Sequence, residues 1–157
     1  LRKRTNPRVG LVWAGSTVHK YDSNRSLELN QLNSLFDLPI DFHALQKEIR
    51  ECDEKTLAEF NKIHTHQAAL NDFSDTAALI QHMDLVISVD TSVAHLAAAM
   101  GKKCWVLLPY SPDFRWLMDR NDSPWYPSIT LFRQPAYKDW ASVIGQVRCG
   151  LQANFVS

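Results

Sequence analysis

Two short stretches of the chain hold the residue types that bind an anion. The first is Val89-Asp90-Thr91-Ser92-Val93-Ala94-His95. An apolar, strand-like run ends at Asp90, and an alanine-rich, helix-like run follows at once. The start of such a helix carries unsatisfied backbone N–H groups and the positive end of the helix dipole. Together these favour phosphate. Thr91 and Ser92 add hydroxyl donors. Asp90 or Thr91 would equally serve as a plain N-cap. His95, one turn into an apolar helix, suits the core as well as a ligand.

The second stretch is Ala14-Gly15-Ser16-Thr17-Val18-His19-Lys20, running on to Arg25 and Ser26. Small residues after a strand let a ligand approach the backbone closely. Lys20 and Arg25 can neutralise phosphate, and the Arg25 guanidinium can hold two oxygens at once. There is no G-x-G-x-x-G, and the P-loop lysine pattern is also missing. A third stretch, Tyr110 to Gln134, is rich in aromatic residues and proline. Arg115 and Trp116 there are candidates for contacts to a base or sugar. The same stretch would also make a packed loop or an interface. No Asp-x-Asp metal motif, H-E-x-x-H or nucleophile elbow occurs. His64 and His66 form an H-x-H pair with no third ligand nearby in sequence. No metal site and no catalytic residue are expected in this segment.

These stretches need elements to position them. Apolar runs predict strands at 8–14, 41–45, 66–70, 84–89, 103–108 and 129–132. Helices are expected at 26–36, 53–63, 72–83 (with Ser74 as N-cap), 91–100 (closed by Gly101) and 139–151. The strands at 84–89 and 103–108 lack alternation, which suggests burial on both faces. Alternating strands and helices argue for an α/β domain with a mostly parallel sheet and helices on both sides. In such sheets ligands bind beyond the carboxyl ends of the strands, where the first two stretches fall. The chain divides into a linker end at 1–7, a Rossmann-like domain at 8–152 and a tail at 153–157.

The 157 residues suit one domain, and 45 % hydrophobic content excludes a disordered chain. Seventeen basic and seventeen acidic residues cancel, so there is no overall field for nucleic acid. The balance is uneven: residues 1–50 carry +3, 51–101 carry −6 and 102–157 carry +3. Basic flanks could wall an anion site, or the pattern could reflect solvated helix faces. No apolar run approaches the ~20 residues of a membrane span. Cys52, Cys104 and Cys149 fit neither a zinc site nor a disulfide framework. A reducing compartment follows, and Cys104 reads as a small buried hydrophobe.

The stretch Asp84 to Met100 (DLVISVDTSVAHLAAAM) resembles glycosyltransferase family 9, the heptosyltransferases. That family's pattern is an apolar strand, D-T-x-x-x-H-x-A-A-A, a glycine, then an apolar strand ending near proline. Asp90, Thr91, His95, Ala97, Ala98, Ala99, Gly101 and Pro109 meet it. Ala14-Gly15-Ser16 and Arg25 also resemble the family, which usually has glycine where this chain has Ser92. Residues 113–134 look closer to the heptosyltransferase-like module at the C-terminus of bacterial tetratricopeptide-repeat proteins.

The resemblance implies a three-layer Rossmann-like domain forming one half of a GT-B fold, excised from a longer chain. It implies a metal-independent transferase with a nucleoside-diphosphate sugar as substrate and no cofactor. The donor phosphates would meet Gly15, Ser16, Lys20, Arg25, Asp90, Thr91, Ser92 and His95. The general base would belong to the missing N-terminal domain, so this segment alone would be inactive. The expected location is cytoplasmic, including the inner membrane surface. The alternative is a degenerate glycosyltransferase-like domain serving as a scaffold or protein-interaction module in a tetratricopeptide-repeat protein.

Overall fold

The computed structural model describes residues 6–14, 28–46, 51–59, 63–66, 70, 72–89, 91–108, 129–135 and 139–155. Six strands form one sheet: β1 (Arg8–Val12), β2 (Asp41–Ala44), β3 (Ile63–His64), β4 (Leu85–Val89), β5 (Cys104–Leu108) and β6 (Ile129–Arg133). Their order is β3-β2-β1-β4-β5-β6, and every pairing is parallel. Between them lie a 3-10 helix, η1 (Leu29–Leu35), and the helices α1 (Glu51–Glu59), α2 (Phe73–Gln81) and α3 (Ser92–Ala99). The helix α4 (Trp140–Phe155) closes the described chain. This is a Rossmann-like three-layer α/β domain, as the alternation of elements predicts.

β4 and β5 are buried at every position, and the two cores show why. Leu85, Ile87, Val89, Trp105 and Leu107 point into one core with Val9, Leu11 and Phe42. Val86, Cys104, Val106 and Leu108 point into the other. η1 and α4 cover the first face through Leu29, Leu32, Leu35, Val143, Val147 and Leu151. α2 and α3 cover the second through Ile80, Ala94, Ala97 and Ala98. A strand covered on both sides favours apolar residues on both faces; the one polar residue, Ser88 of β4, has its hydroxyl bonded to the Val89 carbonyl. The alanines keep α3 thin, so it sits close to the sheet. Burial pushes the Cys104 thiol up to about 12, which fits a packed residue.

Local chemistry sets the element ends. Leu29, Leu32 and Leu35 recur every third residue, which matches the three-residue turn of a 3-10 helix. The expected α-helix over 26–36 is therefore a shorter 3-10 segment. Its start is fixed by the Glu28 N–H donating to Gln31 Oε1 at 2.7 Å. α2 is capped by Asp72, not Ser74. Asp75 N–H donates to Asp72 Oδ1 at 3.1 Å, and Asp72 N–H donates to Asp75 Oδ2 at 3.3 Å. Gly101 closes the turn after α3 with φ 73°. Its N–H and that of Lys102 bond to the Ala98 and Ala97 carbonyls, a glycine-dependent helix stop.

The third strand is described at Ile63–His64, ahead of the expected 66–70 run, of which only His66 and Leu70 are described and neither lies in a strand; α1 is described as far as Glu59. α4 runs on to Phe155, four residues past the expected end, because Phe155 still packs on the first core.

Candidate functional site

β1 and β4 are neighbours in the sheet, although two strands and three helical segments separate them among the described residues. β1 leads towards β2 on one side, and β4 leads towards β5 on the other. The order therefore reverses between β1 and β4, the place where open α/β sheets form a ligand crevice. Val12 of β1 lies in register with Ser88 of β4. The two segments singled out in the sequence thus leave the sheet side by side, at its carboxyl edge.

On the β4 side, Thr91 is the N-cap of α3 and has extended backbone, with φ −138° and ψ 171°. Its carbonyl accepts from the N–H groups of Ala94 and His95, at 3.1 and 3.4 Å. Its hydroxyl lies 3.1 Å from the Ser88 hydroxyl, which itself donates to the Val89 carbonyl at 2.7 Å. The Thr91 hydroxyl is thus turned back to the sheet, and α3 has no side-chain cap. Ser92, the first helical residue, is exposed. His95 is half-buried, with its Nε2 edge shielded from solvent.

On the β1 side, the chain leaves the sheet through Trp13 and Ala14, both buried. Two residues that the sequence reading did not single out hold them. Gln46 Oε1 accepts from the Trp13 and Ala14 N–H groups, at 3.0 and 3.3 Å. The Asp53 carboxylate, 1 % exposed, accepts from the Trp13 indole N–H at 2.9 Å. Its other oxygen accepts from the Leu29 N–H at 2.8 Å. One carboxylate therefore ties Trp13, ahead of the 15–27 segment, to Leu29, just beyond it. Asp53 sits in the first turn of α1, where the helix dipole stabilises a negative charge. That placement is the one signal of it in the sequence.

Of the sequence-derived site residues, the structure places Thr91, Ser92 and His95 together on the first turn of α3. Gly15, Ser16, Lys20, Arg25, Asp90, Arg115 and Trp116 lie outside the described residues. The H-x-H pair gains a third member, His43, which is paired in register with His64. Even so, among the described residues no group of three or more His, Cys, Asp or Glu is arranged to hold a metal ion. Among the same residues no helix is long and apolar enough to cross a membrane.

Comparison with known proteins agrees with this geometry. Over 81 residues the chain is 33 % identical to Protein FlbA of Caulobacter vibrioides (strain ATCC 19089 / CIP 103742 / CB 15). That match covers 52 % of this chain but 13 % of FlbA. Residues 16–143, most of the chain, match the glycosyltransferase family 9 (heptosyltransferase) pattern. With its all-parallel Rossmann-like sheet, the chain belongs to glycosyltransferase family 9.

Proposed function

We propose that this chain is the nucleotide-sugar (nucleoside-diphosphate) binding domain of a metal-independent GT-B glycosyltransferase. The observation that supports the reading is the adjacency of β1 and β4 at the point where strand order reverses. It sets the uncapped start of α3 beside the departure of the Gly15–Arg25 segment. In this reading the diphosphate rests on the N–H groups at Thr91 and Ser92 and on the Ser92 hydroxyl, the Thr91 hydroxyl being turned to Ser88. Asp90 and His95 stand beside it, and Gly15 and Ser16 allow close approach of the second segment. Lys20 and Arg25 neutralise the phosphates, and Arg115 and Trp116 contact base or sugar. As the glycosidic bond breaks, negative charge builds on the leaving nucleoside diphosphate. Fixed N–H donors and cations stabilise that charge without reorganising. In this reading the cations are side chains rather than a metal, consistent with a sequence that has no Asp-x-Asp pair. A facing domain of the same protein would bring the acceptor and its general base.

Calorimetric titration with ADP, UDP and GDP sugars tests the reading. Saturable binding of one of them is expected, without turnover. Arg25→Ala and Asp90→Ala should weaken that binding, whereas His95→Ala should mainly lower stability. A folded chain that binds none of the three would refute the donor reading and favour a scaffold role.

A further inference from the structure

Three histidines meet on one face of the β2–β3 edge. His43 and His64 are register partners on the two strands, and His66 follows two residues on, returning to the same face. The ring centres of His43 and His66 are 5.3 Å apart and their planes differ by 11°. His43 Nδ1 lies 3.0 Å from His66 Nε2. A ring nitrogen sits about 1.2 Å from its ring centre, so this contact accounts for nearly all of the separation. The two rings are therefore coplanar and meet head-on along one N–H···N line. The third ring, His64, lies face to face with His43 at 4.6 Å and 23°.

A head-on N–H···N bond needs one lone pair, so it cannot survive protonation of both partners. The stacked His64 adds a third group that repels a cation on His43. The strand held by this cluster is short. β3 has two residues and, among the described residues, lies at the end of the sheet and pairs with β2 alone. We propose that His43, His64 and His66 form a proton-operated latch, closed when neutral, that holds β3 against β2 and releases it in mild acid.

The charges around His43 agree with this. Burial, then His64 and His66, lower its pKa from 6.5 to about 4, and Arg8 on β1 acts in the same direction. Asp41 on β2 opposes them, with its carboxylate also accepting from Asn6 at 3.4 Å. Burial and His64 lower His66 as well. Because the closed form holds its proton less tightly than the released form, stability from the latch is present above pH 6.5. It falls as pH drops towards 4 and levels off below. For His43 alone, the move from 6.5 to about 4 favours release by roughly 60-fold at pH 4.5 compared with pH 7.

Amide hydrogen exchange read by NMR at pH 7.0, 5.5 and 4.5, corrected for intrinsic rates, tests the latch. Protection at residues 63–66 should fall by some tens of fold across this range, while 85–89 remain far better protected. In His43→Gln and His66→Gln the acid-dependent loss at 63–66 should shrink several-fold. If residues 63–66 and 85–89 open together at every pH, or the variants keep the wild-type profile, the latch does not exist. Should either variant fail to fold, ¹⁵N titration of the wild-type imidazoles decides. Protonation of the His43–His66 pair should track exchange at 63–66, and protonation with no change there overturns the proposal.

Discussion

Asp53→Asn should cost far more than a surface change of the same size. The carboxylate accepts the Trp13 indole N–H at 2.9 Å and the Leu29 N–H at 2.8 Å, and it is 1 % exposed. Water therefore has little access to replace either bond. Asparagine keeps one acceptor oxygen and turns the other position into an NH₂ that faces a donor. The charge that strengthens both bonds is also lost. A hydrogen bond to a charged group contributes about 1.5–3 kcal/mol, and a stranded buried donor costs about 1–3 kcal/mol. The substitution should thus destabilise by roughly 2–4 kcal/mol. Urea denaturation followed by far-UV circular dichroism measures it. With an m value of about 2 kcal/mol/M the midpoint should drop by about 1–2 M. In a Trp13→Phe background, which lacks the indole donor, the effect of Asp53→Asn should shrink by about 1–2 kcal/mol. A loss under about 0.5 kcal/mol, or strict additivity of the two changes, would refute the assignment of Asp53 as the tie between Trp13 and Leu29.

Three other outcomes follow from packing. Alanine at Gly10 places its Cβ against the side chain of Leu45, with Cγ at 2.9 Å, and 3.3 Å from Met83 Cγ. Both neighbours are buried, so a loss of about 1–3 kcal/mol is expected in denaturant titration. Two glycines of α4 should respond in opposite directions. Gly145→Ala enters open space and should stabilise by about 0.5–1 kcal/mol through helix propensity. Gly150→Ala meets the Trp105 ring at 2.8 Å, and Trp105 is pinned beside Phe132, so the chain should lose stability on thermal melting. Finally, Cys104 is buried with its thiol held protonated to about pH 12. Iodoacetamide at pH 8 should label the exposed Cys149 and spare Cys104 until the chain unfolds.

The parts of the fold legible in the sequence are those set by short-range chemistry. Apolar runs without alternation mark β4 and β5 because both faces of the sheet are covered, and Gly101 marks the end of α3 because only its backbone turn fits. β3 is different. Two residues hold too little pattern, and the apolar tail of the 66–70 run draws the expected start three positions too far along. The 3-10 geometry of η1 depends on three leucines meeting one core wall, which a helical spacing rule does not separate from an α-helix. In the site, the anion-friendly start of α3 is visible as a strand–helix junction. Gln46 and Asp53 are not, because their role depends on α1 and β2 lying beside the end of β1. The same holds for His43, whose partners are set by strand register.

The hydrogen bonds at the crevice also divide its two walls. The Trp13 and Ala14 N–H groups are already taken by Gln46, so the end of β1 offers few donors to a ligand. The start of α3 has no side-chain cap, because the Thr91 hydroxyl faces Ser88. An anion in this crevice should therefore draw its backbone donors from α3. Ser92→Pro tests that point with little cost to the fold. Proline is favoured at the first helical position, where its missing N–H has no partner within the helix. Thr91 before it already has the extended backbone that a following proline requires. The variant should melt within a few degrees of the wild type. If the Ser92 N–H or hydroxyl meets a phosphate oxygen, affinity for a nucleoside diphosphate should fall about 10- to 100-fold, the equivalent of one charge-assisted bond. Unchanged affinity in a folded variant would refute a phosphate contact at Ser92.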